Sequence, residues 1–174
     1  MEILIIGGIF VALMAYASTR IKKSAAQAFE REEIETDEFY IVKPENFINP
    51  VSDDASEPFV AHTKDFGTDA AEKLRRASVV VRAVSDGDFE RLRQSYAANG
   101  ETLVAEETGD LESGRMCYQK TESVANGVAV ENTYKIIESR RRRKVYVLRI
   151  AVVGEYADDY AAAVDEILRS LTIK

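Results

Sequence analysis

Two alternating runs constrain this chain more than any other feature. From Val128 onward, Val128, Val130, Asn132, Tyr134 and Ile136 alternate with Ala129, Glu131, Thr133 and Lys135. A period of two places the two sets on opposite faces of a pleated strand. Asn126-Gly127 stands just before this run, and both residue types tolerate the positive φ of a tight hairpin turn. Further on, Tyr146, Leu148, Ile150 and Val152 form one apolar face. The opposite face, Val145, Val147, Ala151 and Val153, is also mostly apolar, which marks a central strand covered on both sides. Together with strands expected over 102–107 and 114–123, residues 102–153 read as a four-stranded antiparallel meander.

The remaining elements flank the meander. Phe39-Tyr40-Ile41-Val42 reads as a short strand closed by Pro44. A second strand is expected over 58–66, with Phe59, Ala61 and Thr63 on one face, and a β-branched strand over 77–84. Residues 67–76 fit either a helical turn or a charged loop. Ser85, with Asp88 three residues on, fits a capping box for a helix carrying Phe89, Leu92 and Tyr96, and Asn99-Gly100 stops it. A last helix is expected over 155–171. Its stripe of Tyr156, Tyr160, Val164, Ile167, Leu168 and Leu171 faces the sheet, and Glu155, Asp158 and Asp159 complement its positive end.

This order defines an α+β fold in which an antiparallel sheet is sandwiched by helices. The order, with its opening pattern Tyr40-x-x-x-Pro44-x-x-Phe47, resembles the PsbP-like family, which includes the Ran-binding Mog proteins. The resemblance covers residues 39–174. It implies a domain that binds proteins or serves in assembly, chaperone-fashion, rather than one that catalyses. Phe47 stands where the family often has Trp. The family's metal-binding histidines have no counterpart, since His62 is the chain's one histidine.

The amino-terminal segment is of another kind. Residues 3–19 carry no charge and hold Ile3, Leu4, Ile5, Ile6, Ile9, Phe10, Val11 and Leu13. Each of these eight favours insertion by roughly 0.3–0.6 kcal/mol. A helix of this length rises about 25 Å, short for a hydrocarbon core of roughly 30 Å, but Arg20, Lys22 and Lys23 follow at once and can snorkel to headgroups. The expected organisation is a single transmembrane anchor with its basic collar over 1–23, an acidic helical stalk over 24–38, and one domain over 39–174. Glu2 is the only charged side chain before the span, so the positive-inside rule puts the domain in the cytoplasm. The alternative is an exported domain released by cleavage after Ala15-Tyr16-Ala17, although a signal peptide calls for a positive start that this chain lacks.

Charge narrows the partners. The chain carries −7; residues 1–23 hold one carboxylate and three basic side chains, +2, so the rest carries −9. Such a domain is repelled by nucleic acid. The single Cys117 forbids an internal disulfide and fits a reducing compartment. It reads as an inert buried thiol, and His62 as a surface or edge residue. No metal, cofactor or catalytic constellation is expected: His62 has no second histidine for zinc, and Asp53-Asp54 and Asp158-Asp159 lack separately tuned settings. One local feature departs from the acidic background, Arg140-Arg141-Arg142-Arg143-Lys144, where two strands must turn. It reads either as a solvated turn protecting a sheet edge or as a contact for anionic headgroups or an acidic partner. The partners expected are therefore a membrane, through the single span, and a protein.

Overall fold

The computed structural model describes residues 27–50, 57–63, 65 and 74–174. Among the described residues, two sheets and three α-helices build the domain. Strands β1 (Glu32–Glu35), β2 (Phe39–Lys43) and β9 (Thr172–Ile173) form a small sheet in the order β1-β2-β9. Strands β3 (Phe59–His62), β4 (Ala77–Ser85), β5 (Thr102–Leu111), β6 (Gly114–Ala125), β7 (Val128–Ser139) and β8 (Lys144–Val153) form the main sheet in the order β3-β4-β8-β7-β6-β5, paired antiparallel throughout. Helices α1 (Phe89–Arg93) and α2 (Ser95–Ala98) lie between β4 and β5, and α3 (Ala157–Ser170) follows β8.

The meander stands as its alternation requires. Asn126 and Gly127 have φ of 51° and 79°, the turn that suits the twist of β6 and β7. Gly114, which opens β6, has a different reason: a Cβ there would lie 2.0 Å from the Glu138 carbonyl oxygen.

The main core lies between one face of the sheet and the layer of α3 and β2. Phe59, Ala61, Val79, Val81, Leu148 and Ile150 from the sheet meet Phe39, Ile41, Phe47, Ile167 and Leu171. The α3 stripe contributes Tyr156, Tyr160, Val164, Ile167, Leu168 and Leu171, and Tyr160 meets Phe47 edge-to-face at 6.0 Å. On the opposite face, Phe89 of α1 packs over Cys117, Tyr134, Ile136 and Val145.

Four expectations need correction. The helical stalk does not continue through Glu32–Glu35, which is strand β1, paired to β2 from Glu32 opposite Lys43 to Glu35 opposite Tyr40. Helix propensity is a weak prior, and here edge pairing overrides it: Ile34 packs on the core while the glutamates stay outside. The helix cap is Asp88, not Ser85. Asp88 Oδ1 accepts from the backbone N–H groups of Glu90 (2.9 Å) and Arg91 (3.3 Å), whereas pairing to Lys144 draws Ser85 into β4. The helix after Asp88 is two short pieces that meet at Gln94. Finally, β8 is central but covered on both faces only in part, since Arg149 on the second face is exposed.

The expected anchor, Ile3, Leu4, Ile5, Ile6, Ile9, Phe10, Val11 and Leu13, and the collar, Arg20, Lys22 and Lys23, lie outside the described residues. Among the described residues no helix is long and apolar enough to cross a membrane. Most of 67–76 also lies outside them, though Asp65 bridges Arg75.

Candidate functional site

The arginine run forms the turn between β7 and β8, and its five side chains divide into two groups. Arg142 and Lys144 point inward. Arg142 donates through Nε to the Lys174 carbonyl (2.8 Å) and through its terminal nitrogen to the Asp37 carbonyl (2.7 Å). Lys144 donates to the Glu38 carboxylate, whose other oxygen accepts from the Tyr146 hydroxyl at 3.0 Å. These bonds tie together the β1–β2 turn, the carboxyl terminus and the basic turn. The Lys144 ammonium holds the Glu38 carboxyl below its ordinary value, and burial with the Glu38 bond pushes the Tyr146 phenol up to about 12.

Arg140, Arg141 and Arg143 point outward and are exposed. Arg143 takes a left-handed φ of 53° and meets Asp86 at 2.8 Å, and Arg140 lies 4.0 Å from Glu138. Ion pairs this exposed are worth little and exchange readily with another anion. The geometry is a fixed turn presenting three guanidinium forks, each suited to a phosphate or carboxylate.

At the opposite end of the β1–β2 hairpin the chain enters the domain. Buried Lys43 grips the entry there: Nζ donates to the carbonyls of Ala28 (3.1 Å), Glu30 (2.5 Å) and Phe47 (3.1 Å). The Asn46 N–H donates to the Phe29 carbonyl at 2.8 Å, and Arg31 pairs with Glu166 of α3 at 2.8 Å. Sequence reasoning passed over Lys43. Its place in a strand whose neighbours Phe39 and Ile41 face the core was the available signal.

A second polar cluster lies on the face of α1. The buried Glu101 carboxylate accepts from Thr121 Oγ1 (2.5 Å) and the Tyr134 hydroxyl (2.7 Å), with Arg149 at 3.5 Å. Arg149 also donates twice to Asn132 Oδ1, at 3.2 and 2.8 Å. The carboxylate is thus satisfied on both oxygens, as a buried charge needs to be. Lys135, likewise buried, donates to the carbonyls of Leu168 (2.6 Å) and Leu171 (2.9 Å), capping the end of α3. Cys117 is buried and its thiol is pushed up to about 11, first by burial and then by Glu106; a thiol of this kind is inert. His62 sits in β3, its Nδ1 3.1 Å from the Thr63 carbonyl.

The main sheet, its two helical layers and the small sheet give this chain a fold of the PsbP/Mog type. Solved structures of that fold superpose over most of it. The Ran-binding protein Mog1p of Saccharomyces cerevisiae matches with a TM-score of 0.53 at 14% identity, covering 83% of this chain and 96% of that one. The cyanobacterial PsbP, CyanoP, from Synechocystis sp. gives a TM-score of 0.55 at 14% identity over 83% and 92%. LpqN, involved in cell envelope biogenesis of Mycobacterium tuberculosis, gives 0.53 at 13% identity over 83% and 91%. No protein-family model matches the sequence, and no curated protein matches it.

Proposed function

We propose that this chain is a non-catalytic binding or assembly module, held at a membrane by residues 3–19 with its domain on the cytoplasmic side, and that Arg140, Arg141 and Arg143 contact an acidic protein partner. The observation that carries the reading is the division of the basic turn. Two of its cations are spent on holding it rigid, and three are left facing solvent in a domain whose net charge is strongly negative. The direction of the turn favours a protein over the bilayer. Ala28 and Glu30 lie at Lys43, whereas the arginines stand at the other end of β1, about 13 Å along the strand. Mog1p is a Ran-binding protein, which fits a binding role for this fold.

The test places a photo-crosslinking side chain at Glu112, beside the turn, in the full chain expressed in its own membrane. Adducts are then compared with and without Arg140→Ser, Arg141→Ser and Arg143→Ser together. The expected result is a discrete protein adduct that disappears in the triple variant while the melting temperature is kept. Adducts unchanged by the triple variant, or adducts to lipid alone, would overturn the acidic-protein reading.

A further inference from the structure

The two edges of the main sheet are built differently. The β3 edge is four residues long, with Phe59 and Ala61 buried, and its outer side is met by Ile48 through N–H to carbonyl bonds with His62 of 2.8 and 3.0 Å. The β5 edge is ten residues long, pairs only with β6 in the sheet order, and is exposed at nine of its ten positions. The exposed large apolar side chains among the described residues all stand there or next to it: Val104 at 53%, Leu111 at 38% and Val124 of β6 at 74%. The strand carries Glu106, Glu107 and Asp110 and no basic residue. Glu106 is held by Arg93 and Gln119, whereas Glu107 is exposed on the face away from α1.

An edge of this length has a row of main-chain donors and acceptors ready for another strand. Its charges decide which one. A second copy would bring the same carboxylates against these, and like charges across a strand pair are unfavourable. A strand bearing lysine or arginine would meet them with opposite charge. Val104, at a bulge in the β5–β6 pairing, and Leu111, at the far end of β5, give apolar contacts at the two ends of the incoming strand.

We propose that the outer edge of β5 takes up an extended, basic segment of a partner protein as a seventh strand of the main sheet. This rests on the reading of the chain as a binding module, but needs neither the anchor nor the arginine turn.

The experiment uses the isotope-labelled full chain in detergent micelles and a ten-residue synthetic peptide alternating lysine and valine. A second peptide has the same charge with proline in place of alternate valines, so that it cannot pair as a strand. Amide exchange is read residue by residue. The expected result is new protection confined to 102–111, at least tenfold weaker binding of the proline peptide, and at least tenfold weaker binding by the chain carrying Glu107→Lys and Asp110→Lys with an unchanged melting temperature. Equal binding of both peptides, protection elsewhere, or no protection would overturn the proposal. Adducts unchanged by the arginine triple variant in the earlier test would leave this result unaffected, so the two readings fail separately.

Discussion

The β3 and β5 edges of one sheet show two solutions to the same problem. At β3 the strand is short, its inward residues belong to the main core, and an irregular segment at Phe47-Ile48 closes its outer side. At β5 the strand is long, its side chains are exposed on both faces, and carboxylates take the place of a cover. The closed edge supplies Phe59 and Ala61 to the main core, whereas no residue of β5 belongs to either core cluster. Regions that bind are drawn from the low-stability end of a fold, and β5 has the few buried apolar contacts that mark such a region.

The largest expected effect breaks the closed edge. Phe59→Ala removes a buried aromatic from the junction of β3 and β4, which should lower stability by about 3–5 kcal/mol. Val104→Ala in β5, at an exposed site, should change it by no more than about 0.5 kcal/mol. Urea denaturation of the two variants side by side checks this, and similar losses from both would erase the distinction between the edges.

The next effect concerns the segment leading into the closed half. Lys43→Met preserves much of the side-chain volume but leaves three carbonyls without their donor, which should cost about 1–3 kcal/mol. Limited proteolysis should then cut within 27–35 while β5 is no more sensitive than before. Cutting unchanged from the parent protein would show that Lys43 does not hold the segment.

Amide exchange sharpens the contrast without mutation. The amides of His62 and Ile48, bonded to each other's carbonyls across the β3 edge, should exchange at least tenfold more slowly than the solvent-facing amides of β5. Comparable rates at the two edges would mean that β5 is covered in solution.

The smallest effect is a pH dependence at the basic turn. The Glu38 carboxyl is held low, chiefly by its bond from Lys144. A depressed carboxyl stabilises the fold above its ordinary value of 4.5, and that contribution is lost as pH falls below it toward the folded value. Both partners are partly exposed, at 27% and 29%, so the amount is below about 1 kcal/mol. Stability measured from pH 6 down to 3 should fall less steeply in Glu38→Gln than in the parent protein. An identical slope would remove Glu38 from the account of how the turn is held.

Much of the main sheet was legible because its signals are local. Alternation and the α3 stripe each repeat a period that only one element type satisfies, and Asn126-Gly127 is a residue pair suited to the positive φ of a tight turn. Strand β1 was not legible, because Glu32, Glu33 and Glu35 favour a helix in isolation and only pairing to distant β2 makes them a strand. Asp88 rather than Ser85 caps α1 because β8 extends the pairing of β4 as far as Ser85, a contact nearly sixty residues away in the chain. The basic turn was legible as a charge run. Its division was not, since what Arg142 and Lys144 bind lies at Asp37, Glu38 and Lys174. The open edge escaped for the opposite reason: a sequence does not say which strand ends a sheet.

The central claim, a binding module tethered with its domain in the cytoplasm, is tested most directly by topology. A reporter active only in the cytoplasm, and separately one active only outside, is fused after Lys174, and the amino terminus of the mature protein is sequenced alongside. The account predicts activity of the cytoplasmic reporter alone, in the membrane fraction, with the segment 3–19 retained. Activity of the exterior reporter, with the mature chain starting at Ser18, would contradict it.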